Sequence, residues 1–256
     1  MAGLVDFRNE DEVKEYLKNT EVEFMFGCHK EKQEDSCYRL GEFLDTIRKD
    51  FPQAATVFKD CCDTFQNASC CFKAGQYHSL GKGKLVKSQL EAFKCFYTGC
   101  QQKNYTDQGK NDRIAASCTS VGLMLSQAEE KRQPLLNYLE INKAHSLNNP
   151  ASTHVIKVFE RACGLNDKFG CYLLSQIYME ESALDSIKHD YKLAAHYAEK
   201  ACDLGEAKAC HNLSIMHKRG DGVDKSSEKA KEFAEKHYIL APLEAFQVAF
   251  ALVLNP

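Results

Sequence analysis

Thirteen cysteines in 256 residues are the side chains with most chemistry to offer. Thiols at this density bond to one another, hold zinc, anchor haem or exchange redox equivalents. Zinc knuckles favour C-x-x-C and c-type haem needs C-x-x-C-H. Neither occurs in this chain, so zinc is disfavoured and no metal ligand is assigned. The spacing points to disulfides instead. Cys28 and Cys37 lie 9 residues apart, as do Cys62 and Cys71, while Cys163–Cys171 and Cys202–Cys210 are 8 apart and Cys100–Cys118 are 18 apart. A polar turn of that length can bring two helix ends to the ~5.5–6 Å Cα separation a disulfide needs. These ten cysteines are expected to form five bridges. Cys61, Cys70 and Cys95 are left as candidate free thiols. Cys61 and Cys70 share the nine-residue separation, so the register is open. Cys62–Cys71 is preferred because Cys71 precedes an apolar run, as Cys37, Cys171 and Cys210 do. Cys95 falls on the packed side of its helix and is expected to be buried. Redox activity in one of the three is the alternative, since it requires an accessible thiolate.

The elements that position these cysteines repeat. Cys62, Cys100, Cys163 and Cys202 each end a helical pattern, and Cys37, Cys71, Cys118, Cys171 and Cys210 each begin one. Successive ending cysteines are spaced by 34 (Cys28 to Cys62), 38 (Cys62 to Cys100) and 39 (Cys163 to Cys202) residues. This period suits two helices and two turns, the unit of an α/α solenoid. The second helices carry small residues at helical spacing, among them Ala54, Ala55, Ala92, Ala194, Ala195, Ala198 and Ala201, which allow close backbone approach. Glycines in Gly81-Lys82-Gly83 and Gly220-Asp221-Gly222 are expected to end one helix and redirect the chain, with Asp224 or Ser226 capping the next. Asn9–Phe26 reads as an amphipathic helix with Asn9 and Glu12 in capping-box positions. The expected architecture is all-α: a right-handed solenoid of about five hairpins over residues 1–240, with an insertion at about 128–153 containing Pro134 and an extra helix, Leu135–His145. An apolar extension, residues 241–256, is read as a cap on the last hairpin.

Composition excludes several functions. The formal net charge is −3 with acids and bases interleaved, so the basic footprint of a nucleic-acid binder is missing. The N-terminus MAGLVDFRNEDEVKEYL is acidic and lacks the marks of a secretory or transit peptide. Ile239–Leu254, the longest apolar stretch, falls short of the ~18–20 clean residues of a membrane span. Three N-x-S/T sequons, at Asn67, Asn104 and Asn212, leave open a secreted repeat protein with another export route. Ser226-Ser-Glu-Lys229 matches S-x-x-K, but S-D-N and K-T-G are absent. The nine histidines form no H-x-x-x-H pair and read as surface residues. No catalytic residue is assigned.

The segment Ala195–Ser214, containing HYAEKACDLGEAKAC, followed by GDGVDK at Gly220–Lys225, resembles a Sel-one-like repeat, a relative of the tetratricopeptide hairpin. A cysteine at each hairpin junction makes the chain similar to the disulfide-rich Sel-one-like family, which includes bacterial β-lactamase-like proteins and a mitochondrial branch in animals. MAGLVDF, CHKEKQEDSCYRL, SCCFKAGQYHSLGKG and AFKCFYTGC carry the likeness to that branch over about Met1–Ala234. The resemblance implies the mitochondrial intermembrane space and a role in building respiratory complex IV. The solenoid itself is read as a monomeric scaffold whose concave face binds protein partners, either oxidase subunits or other assembly factors, and no cofactor is assigned. A protein that handles thiols or haem during oxidase assembly is the alternative.

Overall fold

The computed structural model describes residues 5–141, 151–179 and 189–254, the side chains of 141, 151 and 243–254 excepted. Among the described residues every regular element is a helix, so the fold is all-α. The chain divides into two compact units, Met1–Asn104 and Tyr105–Pro256.

The first unit contains α1 (Glu10–His29), α2 (Glu34–Phe43), α3 (Phe51–Phe65), α4 (Ala68–Leu80) and α5 (Gln89–Cys100). Asn9 caps α1: its side chain accepts from the amides of Asp11 and Glu12, while its Nδ2 donates to Glu12 Oε1 at 3.0 Å. Two otherwise unpaired amides are satisfied where the helix must begin. Consecutive helices then pack in pairs on a small–large rule. Phe58 of α3 lies on Gly41 of α2, and Phe96 of α5 lies on Gly75 of α4. A methyl group on Gly75 would stand 2.6 Å from the Phe96 ring, far inside van der Waals contact. In both pairs the glycine follows the opening cysteine by four residues and the ring precedes the closing cysteine by four, so one contact recurs once per hairpin.

Between α2 and α3 the helix widens into a π-helical turn, Leu44–Arg48, ended by Lys49 at φ 54°. Between α4 and α5, Gly81 and Gly83 both have φ 70°, a conformation open to glycine without strain. Gly83 also lies against the Phe51 carbonyl at the start of α3, where no side chain would fit.

The second unit contains α6 (Gln108–Leu125), α7 (Glu129–Ile141), α8 (Ala151–Gly164), α9 (Lys168–Met179), α10 (Tyr191–Asp203), α11 (Ala207–Arg219) and α12 (Ser227–Leu254). The partner of α6 is α8, on which Phe159 lies against Gly122, and α7 is the element inserted between them. The inserted helix begins at Glu129 and runs through Pro134, earlier than the sequence suggested. Pro134 lies past the first turn of α7, where its ring cannot donate the usual backbone bond to the preceding turn. The remainder of the expected Leu135–His145 helix lies outside the described residues. In α9 and α10 the glycine and ring positions are taken by Ser175 and Ala198, both fully buried. The aromatic contact there moves to Tyr178 on Tyr197, stacked at 5.9 Å. The turn before α12 repeats that before α5: Gly220 and Gly222 have φ 91° and 71°, and Gly222 lies on the Tyr191 carbonyl of α10. Residue 240 falls inside α12, which stays helical across Pro242 to Leu254. The expected packing of residues 243–256 as a cap lies outside the described side chains.

Candidate functional site

The recurring chemical feature is the junction between one hairpin and the next. The structure bonds Cys28 to Cys37, Cys62 to Cys71, Cys163 to Cys171 and Cys202 to Cys210, with Cα separations of 4.5, 4.6, 4.6 and 4.8 Å. Each joins the last turn of one helix to the first turn of the next. Cys100 and Cys118 each take part in a disulfide.

One expectation is corrected. Cys61 and Cys70, read above as candidate free thiols, are bonded to each other beside Cys62–Cys71, with a Cα separation of 5.8 Å. The reason lies in the residues that precede the bridging cysteines. At the first junction these are Gly27 and Ser36, where a methyl on Gly27 would stand 2.5 Å from Ser36 Oγ. At the Cys163–Cys171 junction they are Ala162 and Gly170, where a methyl on Gly170 would stand 2.7 Å from Ala162 Cβ. At the last junction they are Ala201 and Ala209, both fully buried. Two of these junctions press small residues together next to the disulfide, and the third buries a pair of alanines at the same positions. Where both are cysteine, a second bond fits. The run of small residues before each bridge is the sequence signal that marks this position.

Cys95 is the free cysteine among the described residues and is buried. Burial pushes its thiol up to about 11, and it sits in the same core cluster as Cys61, Cys62, Cys70 and Cys71. Such a thiol is almost entirely protonated near neutral pH and a poor nucleophile.

The π-helical turn of the first unit places Asp45 where Tyr77 Oη and Lys82 Nζ donate to it at 2.7 and 2.6 Å. Burial alone would raise the Asp45 pKa, but those two hydrogen bonds and the charges of Lys82 and Lys73 offset it and hold the carboxyl below its ordinary value. Burial and the bond to Asp45 raise the Tyr77 phenol.

The histidines are not all at the surface. His78 and His217, each seven residues after an opening cysteine, are 7% and 6% exposed. His217 Nδ1 donates to the Asp224 carbonyl at 3.1 Å and the ring stacks on Phe233 at 5.4 Å. His78 has no hydrogen-bond partner on either ring nitrogen, and burial lowers its pKa. His189 precedes α10 and stacks on Tyr191, while His196 lies within that helix. Ser226 and Lys229 make a helix cap, the Lys229 amide donating to Ser226 Oγ at 3.2 Å. Among the described residues no three His, Cys, Asp or Glu side chains converge on a metal-sized site. No described helix is long and apolar enough to cross a membrane. A cavity of 440 Å³ in the second unit is lined by Lys192, His196, Glu199, His217, Asp224 and Lys229, among others.

The Sel1 repeat family pattern matches residues 68–104, 169–206 and 207–236, which coincide with α4–α5, α9–α10 and α11 with the start of α12. Cys202–Cys210 joins two matched segments, while Cys61–Cys70, Cys62–Cys71 and Cys163–Cys171 each tie the start of a matched segment to the helix before it. A Sel1 repeat protein from Oxalobacter formigenes has the same fold, with a TM-score of 0.63 over 90% of this chain and 83% of its own at 16% identity. Cytochrome c oxidase assembly factor 7 of Xenopus tropicalis is 37% identical over 92% of each chain, and the Homo sapiens protein of that name is 38% identical over 90% of each. The Drosophila melanogaster homologue is 31% identical over 89% of this chain and 88% of its own. With this identity sustained along almost the whole length, the chain belongs to the cytochrome c oxidase assembly factor 7 family of Sel1 repeat proteins.

Proposed function

We propose that this protein is an assembly factor for cytochrome c oxidase, respiratory complex IV, working in the mitochondrial intermembrane space as a disulfide-fixed scaffold that binds oxidase subunits or other assembly factors. The observation that carries this reading is the placement of the bridges. They sit where hairpin meets hairpin and fix the spacing of helices whose outward faces a partner would meet. Each closes a short loop and contributes about 2–3 kcal/mol in the chain-entropy model, so an oxidising compartment suits the chain. The family relationship supports the oxidase as the object of assembly. A thiol-exchange role has less support, because Cys95 is buried and its thiol pKa is raised.

The test is to deplete the protein from its own cells and quantify assembled complex IV on native gels. Protease protection in mitochondria with ruptured outer membranes gives the compartment. A selective fall in complex IV, restored by the wild-type chain, and degradation only after rupture are expected. Normal complex IV, or protection that persists after rupture, overturns the corresponding part of the reading.

A further inference from the structure

Val22, Met25 and Phe26 lie on α1, 57%, 45% and 55% exposed. They precede Cys28 by six, three and two residues, and the internal repeat provides their counterparts. Before Cys62 these positions are Thr56, Lys59 and Asp60; before Cys100, Lys94, Tyr97 and Thr98; before Cys163, Lys157, Glu160 and Arg161; before Cys202, His196, Glu199 and Lys200. Across those four closing helices every residue carries a charge, hydroxyl or imidazole. On α1 alone all three are purely apolar. Positions that are polar and exposed or half-buried on the other closing helices form an exposed hydrophobic stripe on α1, and such stripes mark contact surfaces.

We infer that this stripe pairs with the same stripe of a second copy of the chain, α1 against α1 in antiparallel register about Val22. The residues around the stripe are self-complementary. Glu15, Lys18, Val22, Met25 and His29 recur at three- and four-residue steps, the spacing of a two-helix seam, and Glu15, Lys18, Asn19 and His29 are exposed. A two-fold axis at Val22 sets Val22 on its own copy, Met25 over Asn19, the Phe26 ring beneath the Lys18 stem and ammonium, and His29 beside Glu15. Each of these is an attractive or neutral pairing. α1 is acidic in its first turn and has His29 in its last, so an antiparallel copy sets unlike ends together, whereas a parallel copy sets like charges side by side. A two-fold contact of this kind uses one patch twice. This departs from the monomer expected on the sequence and is independent of the role in oxidase assembly.

Sedimentation velocity on the oxidised full-length protein from about 1 to about 200 µM tests it, since a single helix pair is expected to dissociate at about 10–100 µM. The mean mass should rise from 28.9 kDa towards twice that value. Met25→Glu with Phe26→Glu should keep the chain monomeric throughout, with an unchanged helical circular dichroism spectrum. Glu15→Lys should weaken pairing about three- to tenfold by removing the acceptor for His29, and adding His29→Glu should restore it, because the new ammonium then faces a new carboxylate. A wild-type chain that stays monomeric at every concentration overturns the proposal and leaves the stripe to a different protein. A dimer that survives M25E/F26E, or a charge exchange that fails to restore pairing, overturns it as well.

Discussion

The ring of Phe58 rests on Gly41, and the two residues define how close α2 and α3 lie. The contact returns as Phe96 on Gly75 and Phe159 on Gly122. Alanine usually improves a helix by roughly 0.5–1 kcal/mol over glycine, yet here its methyl would enter a fully buried ring. Gly41→Ala should therefore destabilise by about 1–3 kcal/mol, and Phe58→Ala by about 3–5 kcal/mol through the cavity it leaves. Gly164→Ala is the control: nothing lies within 4 Å of its added methyl, and it should be neutral or stabilise by up to ~1 kcal/mol. Urea unfolding of the three variants checks the ordering, which fails if Gly41→Ala matches Gly164→Ala.

The bridges Cys61–Cys70 and Cys62–Cys71 close nearly the same loop, each with a separation of 9 residues. Once one has formed, little loop entropy is left for the other to remove. Replacing either pair by serine should cost at most about 0.5 kcal/mol of loop entropy, whereas replacing both should cost about 2–3 kcal/mol. Denaturant midpoints for the two double variants and the quadruple variant report the non-additivity. Equal, additive losses would count against it.

Asp45 titrates below its ordinary value of 3.8 in the folded chain. A depressed carboxyl gives stability that is fully present above the unfolded pKa and is lost as pH falls through the folded one. Stability should hold from neutral pH down to about 4 and decline below it. Asp45→Asn should flatten part of that decline and cost about 1–3 kcal/mol at neutral pH, because Tyr77 and Lys82 lose a charged acceptor. Unfolding free energies between about pH 2 and pH 7 decide the matter. An unchanged acid slope in the variant would remove Asp45 from the explanation.

Cys95 should resist alkylation in the native protein near neutral pH and react once the chain is denatured, as its thiol is raised to about 11 and buried. Mass spectrometry after iodoacetamide treatment, with and without denaturant, counts the modified thiols. Rapid native labelling at Cys95 would show that the core opens there.

Hairpins are legible in this sequence because their period is written twice, once in apolar spacing and once in the junction cysteines. The glycine turns are legible for a local reason: Gly81, Gly83, Gly220 and Gly222 stand where a helix must stop, and all four have positive φ. Contacts that depend on a facing helix are hidden. Gly41 looks like any small residue in an apolar run until Phe58 is set opposite it. The Cys61–Cys70 bond is hidden for the same reason, since the close approach of those backbones is visible only when Gly27 and Ser36, or Ala162 and Gly170, are superposed on them. His78 and His217 are concealed by chemistry, because a histidine is usually placed at the surface and these two replace the Leu44 and Leu125 of equivalent helices.

The described bridges each join cysteines 8 or 9 residues apart, so the right partner is close along the chain, and at Cys28–Cys37, Cys163–Cys171 and Cys202–Cys210 it is the nearest cysteine. Encounter statistics alone then favour correct pairing over distant mismatches. A polypeptide emerging end-first through a narrow opening could lock each corner as it appears, without waiting for the remainder to arrive. Backsliding would become harder with every corner locked.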